Sequence, residues 1–112
     1  MNEFIEYLSA KAEEGRAEIA SLTAADRRDD ADFAKVRTNI YEVCRTVTEA
    51  LINRPGAGTS AVKAQFARFS TAWTAALEKA KAHNDVRAVA VEEIKLAALD
   101  DVTAHFKEAT GE

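Results

Sequence analysis

Asp101 and His105 are the two residues of this chain best spaced to act together. Four positions apart on a helix, they share one face. They could place two ligands on one metal ion, or the carboxylate could simply accept a hydrogen bond from the ring. We expect the hydrogen-bonded pair. A helical di-iron centre needs Glu-x-x-His on two helices and two further Glu. The residues three before His83 and His105 are Ala80 and Val102, so that signature does not occur. His83 reads instead as a helix-end residue favoured by the dipole.

The other chemical candidates weaken when tested in the same way. Cys44 is the one cysteine. No His lies within a helical turn of it, so an activating base would have to come from another helix. It is expected to be an inert core thiol, and with no second cysteine it fits a reducing compartment. Gly56-Ala57-Gly58-Thr59-Ser60-Ala61 has the outline of a dinucleotide fingerprint, but that pattern has meaning only between a strand and a helix. Here a helix precedes it. An ordinary connector is expected, with Arg54 beside a helix start that could hold an anion. Asp26, Asp29, Asp30 and Asp32 lack the glycine and terminal Glu of a calcium loop. Arg27 and Arg28 neutralise part of that charge, so a solvated helix start is the simpler reading. Glu92-Glu93 and Asp100-Asp101 are adjacent pairs, which diverge on a helix rather than face one another. We therefore assign no catalytic, cofactor-binding or metal-ligating residue, and no cofactor.

The elements that hold these residues are helical. Of 112 residues, 24 are alanine, 4 glycine and 1 proline. Alanine is the best helix former, and apolar residues recur every three or four positions with no clean two-residue alternation. The fold class is all-α: an antiparallel up-down-up-down four-helix bundle, with helices near 3–21, 24–53, 60–83 and 86–109, in one domain spanning 1–112.

In the first helix, capped by Asn2, the apolar face runs Ile5, Leu8, Ala12, Gly15, Ile19, Leu22, with Phe4 widening it. Ala12 and Gly15 form a notch that lets a partner helix come close. The second helix carries Phe33, Val36, Ile40, Val43, Val47 and Ala50, with Cys44 and Leu51 beside them. Positions 5, 12, 19, 26, 33, 40 and 47 keep one heptad phase, as a single rod would. That rod would put Asp26 and Asp29 on the apolar seam, and unpartnered buried carboxylates are expensive. A break is expected at Thr23, which begins a capping-box-like Thr-Ala-Ala-Asp, or else near Asp30 or Asp32.

Arg54-Pro55-Gly56-Ala57-Gly58-Thr59 is the clearest loop, with Gly56 left-handed and Thr59 or Ser60 capping the third helix. That helix presents Val62, Phe66, Phe69, Trp73, Ala76, Leu77 and Ala80 and is expected to centre the core. Asn84 and Asp85 make the next break. The fourth helix has two apolar lines: Val91, Ile94, Ala98, Val102 and Val89, Leu96, Leu99, Phe106.

Fifteen Lys and Arg against nineteen Asp and Glu give a formal net charge of -4. The basic residues are scattered, which disfavours nucleic acid and a membrane surface as partners. No apolar run is long enough for a membrane span, and no signal peptide is apparent, so a cytoplasmic location is expected. The leading functional reading is a non-enzymatic helical module acting through protein contacts, including self-association as a homodimer, with Val89, Leu96 and Leu99 as the candidate patch. The rival is a small enzyme or ligand carrier with an inter-helix pocket reached by Tyr41, Cys44, His105 or Trp73.

Overall fold

The computed structural model describes residues 1–111. Four helices follow one another: α1 (Asn2–Ala24), α2 (Arg28–Ile52), α3 (Gly58–Ala82) and α4 (Val86–Thr110). They pack as an antiparallel up-down four-helix bundle. The bundle is flattened, measuring 44 × 35 × 21 Å. Its shortest dimension is two helix diameters, each about 10–12 Å. α2 and α4 lie on the short diagonal and α1 and α3 on the long one.

The rod is interrupted, but not at Thr23. α1 continues through Ala24, and Thr23 donates its hydroxyl to the Ile19 carbonyl 2.7 Å away, inside the helix. The chain turns at Asp26, whose φ of 58° is left-handed, and the first residues of α2 carry no side-chain cap. Asp has a short polar side chain and tolerates that conformation, while the capping box would have needed a longer Glu. Two other expected caps are also replaced: α1 is preceded by Met1 rather than capped by Asn2, and α3 starts behind Ala57 at Gly58, ahead of Thr59 and Ser60. Asp85 does cap α4, its Oδ1 accepting from the Ala88 N–H at 3.1 Å. Gly56 is left-handed at φ 78°.

The core is concentrated at the end where α1 and α3 begin. Phe4, Phe66 and Phe106 meet there edge-on or tilted, with centroids 5.4 to 6.4 Å apart. Leu8, Val62, Leu99 and Val102 fill the space around them. Phe66 from α3 takes part as expected, but Phe69 and Trp73 only pack against the core from its edge. They are half-buried, stacked on each other at 4.9 Å. The three rings come from α1, α3 and α4, and α2 adds Ile40, Tyr41 and Cys44 to the same core.

α2 turns a different face inward from the one its large side chains define. Its buried residues are Ala31, Ala34, Thr38, Ile40, Tyr41, Cys44 and Thr48. Of the expected stripe only Ile40 is buried. Phe33, Val36, Val43 and Val47 are half-buried, and Ala50 is exposed. The reason is close approach: α2 lies against the buried Gly15 of α1 at Thr38, so a small side chain must face it. The two buried hydroxyls are satisfied within α2, Thr38 donating to the Ala34 carbonyl and Thr48 to the Cys44 carbonyl, both at 2.7 Å.

The opposite end is packed differently. There the buried residues are alanines, Ala31, Ala34 and Ala80, while Ile19, Leu22, Phe33, Val36, Leu77, Val89, Val91 and Ile94 are only half-buried. No helix is long and apolar enough to cross a membrane among the described residues.

Candidate functional site

Asp101 draws polar groups from three helices to one carboxylate. α4 carries Asp101 and, one turn later, His105. α1 brings Tyr7, whose hydroxyl donates to Asp101 Oδ2 at 2.5 Å, and α2 brings Tyr41, whose hydroxyl donates to the same oxygen at 2.7 Å. His105 Nδ1 lies 3.5 Å from Asp101 Oδ1 and 3.0 Å from the Asp101 main-chain oxygen. A carbonyl only accepts, so Nδ1 bears the proton in that contact. The Tyr7 and His105 rings are stacked with centroids 3.8 Å apart. The Lys11 ammonium lies 5.5 Å from the centre of the Tyr41 ring.

The electrostatics follow from this geometry. Partial burial works against the charged form of Asp101. The two tyrosine hydrogen bonds, with His105 and Lys11 nearby, outweigh it and hold the carboxyl below its ordinary value. Both tyrosines move the other way. Burial raises them first, and donation to an anion whose charge opposes a phenolate raises them further. At neutral pH the arrangement is a carboxylate held by two protonated phenols.

Asp101 and His105 are neighbours as expected, but the ring hydrogen-bonds the Asp101 main-chain oxygen rather than the carboxylate, and the meeting of Tyr7 and Tyr41 at Asp101 is what spacing alone missed. Tyr7 lies 94 residues before Asp101 in the chain, so no local pattern links them. The one available signal was a tyrosine on the flank of each of two apolar faces, where a phenol needs a polar partner. Oδ2 is occupied by two hydroxyls, and no group of three or more His, Cys, Asp or Glu is placed to hold a metal among the described residues.

The residues expected to reach one internal pocket are not brought together. Tyr41 and His105 meet at Asp101. Cys44 is fully buried in the core, and burial pushes its thiol up to about 12. Trp73 packs on Phe69, with the Lys95 ammonium 4.8 Å from its ring centre. His83 follows α3 and its Nδ1 reaches the Lys79 carbonyl at 3.0 Å. The acidic stretch is exposed apart from half-buried Asp32, and it is paired: Arg27 with Asp30, Arg28 with Asp26, and Arg87 with Asp29 and Asp32.

The expected surface patch also needs correction. Leu99 is 2% exposed and belongs to the core, while Val89 and Leu96 are half-buried. The helix turns Leu99 inward together with Phe106, about two turns further along the same face. The apolar surface sits nearer the start of α4. Val86 is 83% exposed, and with Val89 and Ala90 it lines a shallow depression edged by Lys81, Asn84 and Glu93.

Comparison of the chain with protein-family models, with curated protein sequences and with solved structures finds no match.

Proposed function

We propose that this chain is a non-enzymatic helical contact module that pairs with a second copy of itself through the start of α4. The observation that carries this reading is the asymmetry of the bundle. One end has an interlocked aromatic core, while the other buries only alanines and leaves its large aliphatic side chains half-covered. Val86, the first residue of α4, lies in open solvent and lines the α3–α4 depression at that second end. Covering such a surface is what association does for an apolar face.

A second copy fits the charges. Lys81 and Glu93 flank the same apolar depression with opposite sign. A two-fold axis through it sets Lys81 of one protomer against Glu93 of the other, twice. Isologous pairing requires such self-complementarity. The Asp101 cluster then serves the fold, tying α1 and α2 to α4.

Sedimentation equilibrium over the micromolar range tests the reading. A dimer is expected, lost in Val86→Glu/Val89→Lys. Glu93→Lys alone should weaken it, and Lys81→Glu/Glu93→Lys should restore it. A monomer at several hundred micromolar sinks the reading. So does a dimer indifferent to these substitutions.

A further inference from the structure

The two hairpins, α1–α2 and α3–α4, share a core along only part of their length. That core starts at the end carrying the 53–57 connection. It reaches Leu8 on α1, Ile40 on α2 and Ala98 on α4, with Trp73 of α3 packed against its edge. Beyond those residues the hairpins run on to their turns, at 25–27 and 83–85, with no residue in the core. On α2 and α4 these tips are twelve residues each, 28–39 and 86–97, or about 18 Å of helix.

One residue ties the tips together. The Arg87 guanidinium of α4 lies 3.8 Å from Asp29 Oδ1 and 3.5 Å from Asp32 Oδ2 of α2, and 5.3 Å from the centre of the Phe33 ring. No other hydrogen bond, ion pair or cation–ring contact joins the hairpins in this half among the described residues. The same stretch of α4 keeps a charged pair largely out of water. Glu92 Oε1 lies 3.2 Å from the Lys95 ammonium, while Glu92 Oε2 is buried without a hydrogen-bond partner.

We infer that the bundle hinges like a pair of tongs: the hairpins swing apart at their tips about the aromatic end, with the helices intact, and Arg87 is the latch that holds them closed. Parting the tips breaks the Arg87 contacts and wets side chains that are already half-exposed, among them Phe33, Val36, Val91 and Ile94. Water reaching Glu92 Oε2 offsets part of that cost. Parting the other end would open a sealed aromatic core and break both tyrosine bonds to Asp101. Each turn moves with its own hairpin, so no backbone hydrogen bond has to break. The inference does not rest on self-association, because the latch joins α2 to α4 whereas the Val86 depression lies between α3 and α4.

Double electron–electron resonance between nitroxide pairs in the Cys44→Ala chain tests this. Labelled protein is diluted in unlabelled protein, so that only distances within one chain are read. Ala24→Cys/Ala82→Cys, exposed sites at the ends of α1 and α3, reports the tips. Glu6→Cys/Ala64→Cys, exposed sites on the same two helices, reports the aromatic end. The tip pair is expected to show a second, longer distance and the other pair a single one. Arg87→Ala should raise the population of the longer distance about two- to fivefold, the scale of exposed ion pairs, and Asp29→Asn/Asp32→Asn should do the same. About 1 M sodium chloride should raise it in the parent and add little in Arg87→Ala. Far-ultraviolet circular dichroism should stay constant throughout. Three results overturn the inference: a single narrow tip distance in Arg87→Ala, equal broadening of both pairs, or a longer tip distance that appears only with loss of helical signal. The last would mean that the tips melt instead of swinging.

Discussion

A methyl group placed on Gly15 would fall 2.0 Å from the Thr38 hydroxyl oxygen and 2.9 Å from both Cβ and Cγ2 of that threonine. This contact sets the distance between α1 and α2. Rotating the Thr38 side chain does not remove the clash, because its Cβ, which χ1 does not move, is itself only 2.9 Å away. Thr38 is also held by its hydrogen bond to the Ala34 carbonyl.

Gly15→Ala should therefore destabilise the protein even though alanine is the better helix former. The propensity gain is about 1 kcal/mol. Overpacking typically costs about 1–3 kcal/mol, and here backbone must move as well. We expect a net loss in urea unfolding, partly recovered in Gly15→Ala/Thr38→Ala, where two of the three clashing atoms are gone. A more stable single variant would show that α1 and α2 have room to spare.

The Asp101 cluster makes stability depend on pH in both directions. The folded-state carboxyl is held low, so its contribution is present above the ordinary carboxylate range and is lost as pH falls through about 4 and below. Tyr7 and Tyr41 are raised, so theirs is present below pH 10, about the ordinary phenol value, and fades as pH rises beyond it. Asp101→Asn should flatten the acid limb of stability against pH relative to the parent. Tyr7→Phe/Tyr41→Phe should flatten the alkaline limb, measured in a Cys44→Ala background because the buried thiol adds an alkaline slope of the same sign. Parallel curves for parent and Asp101→Asn would mean the carboxylate gains nothing from its partners.

The helices were legible in the sequence, and their inward faces only in part. The three-four spacing of Leu8, Ala12 and Gly15 marked both the α1 face and its notch, and the Asn84-Asp85 break gave the α4 cap. On α2 the same rule favoured Phe33, Val36 and Val43 because they are large. Which face turns inward was decided by Gly15 on another helix, and spacing along α2 carries no information about its neighbour. Tyr7 escaped notice and Tyr41 was read only as a pocket residue for a similar reason: their common partner is far away in the chain. Asp101 and His105, one turn apart, were visible as a pair.

Aromatic substitutions should separate the true core centre from the apparent one. Phe106 is 1% exposed and touches both Phe4 and Phe66. Phe106→Ala should cost about 3–5 kcal/mol. Trp73 is the larger residue but is half-buried, stacked between Phe69 and Lys95. Trp73→Ala should cost about half as much, since only the area removed from water counts. Chemical denaturation of the two variants side by side checks the order. The reverse order would move the core centre onto α3.

Cys44 offers a probe of how the aromatic end opens. Its side chain is fully buried, and burial holds the thiol near 12, so thiolate is scarce in the folded state at pH 8. Labelling by an aromatic disulfide must then wait for opening. If that opening is global, a stability of about 5 kcal/mol or more slows labelling by at least a thousandfold relative to the urea-unfolded chain. Phe106→Ala should accelerate it by a factor that matches its loss of stability, because Cys44 and Phe106 share one core. Val86→Glu, at the far end, should leave the rate unchanged. Immediate stoichiometric labelling of the native protein would contradict the packing around Cys44. Equal acceleration by both variants would show that the two ends open together.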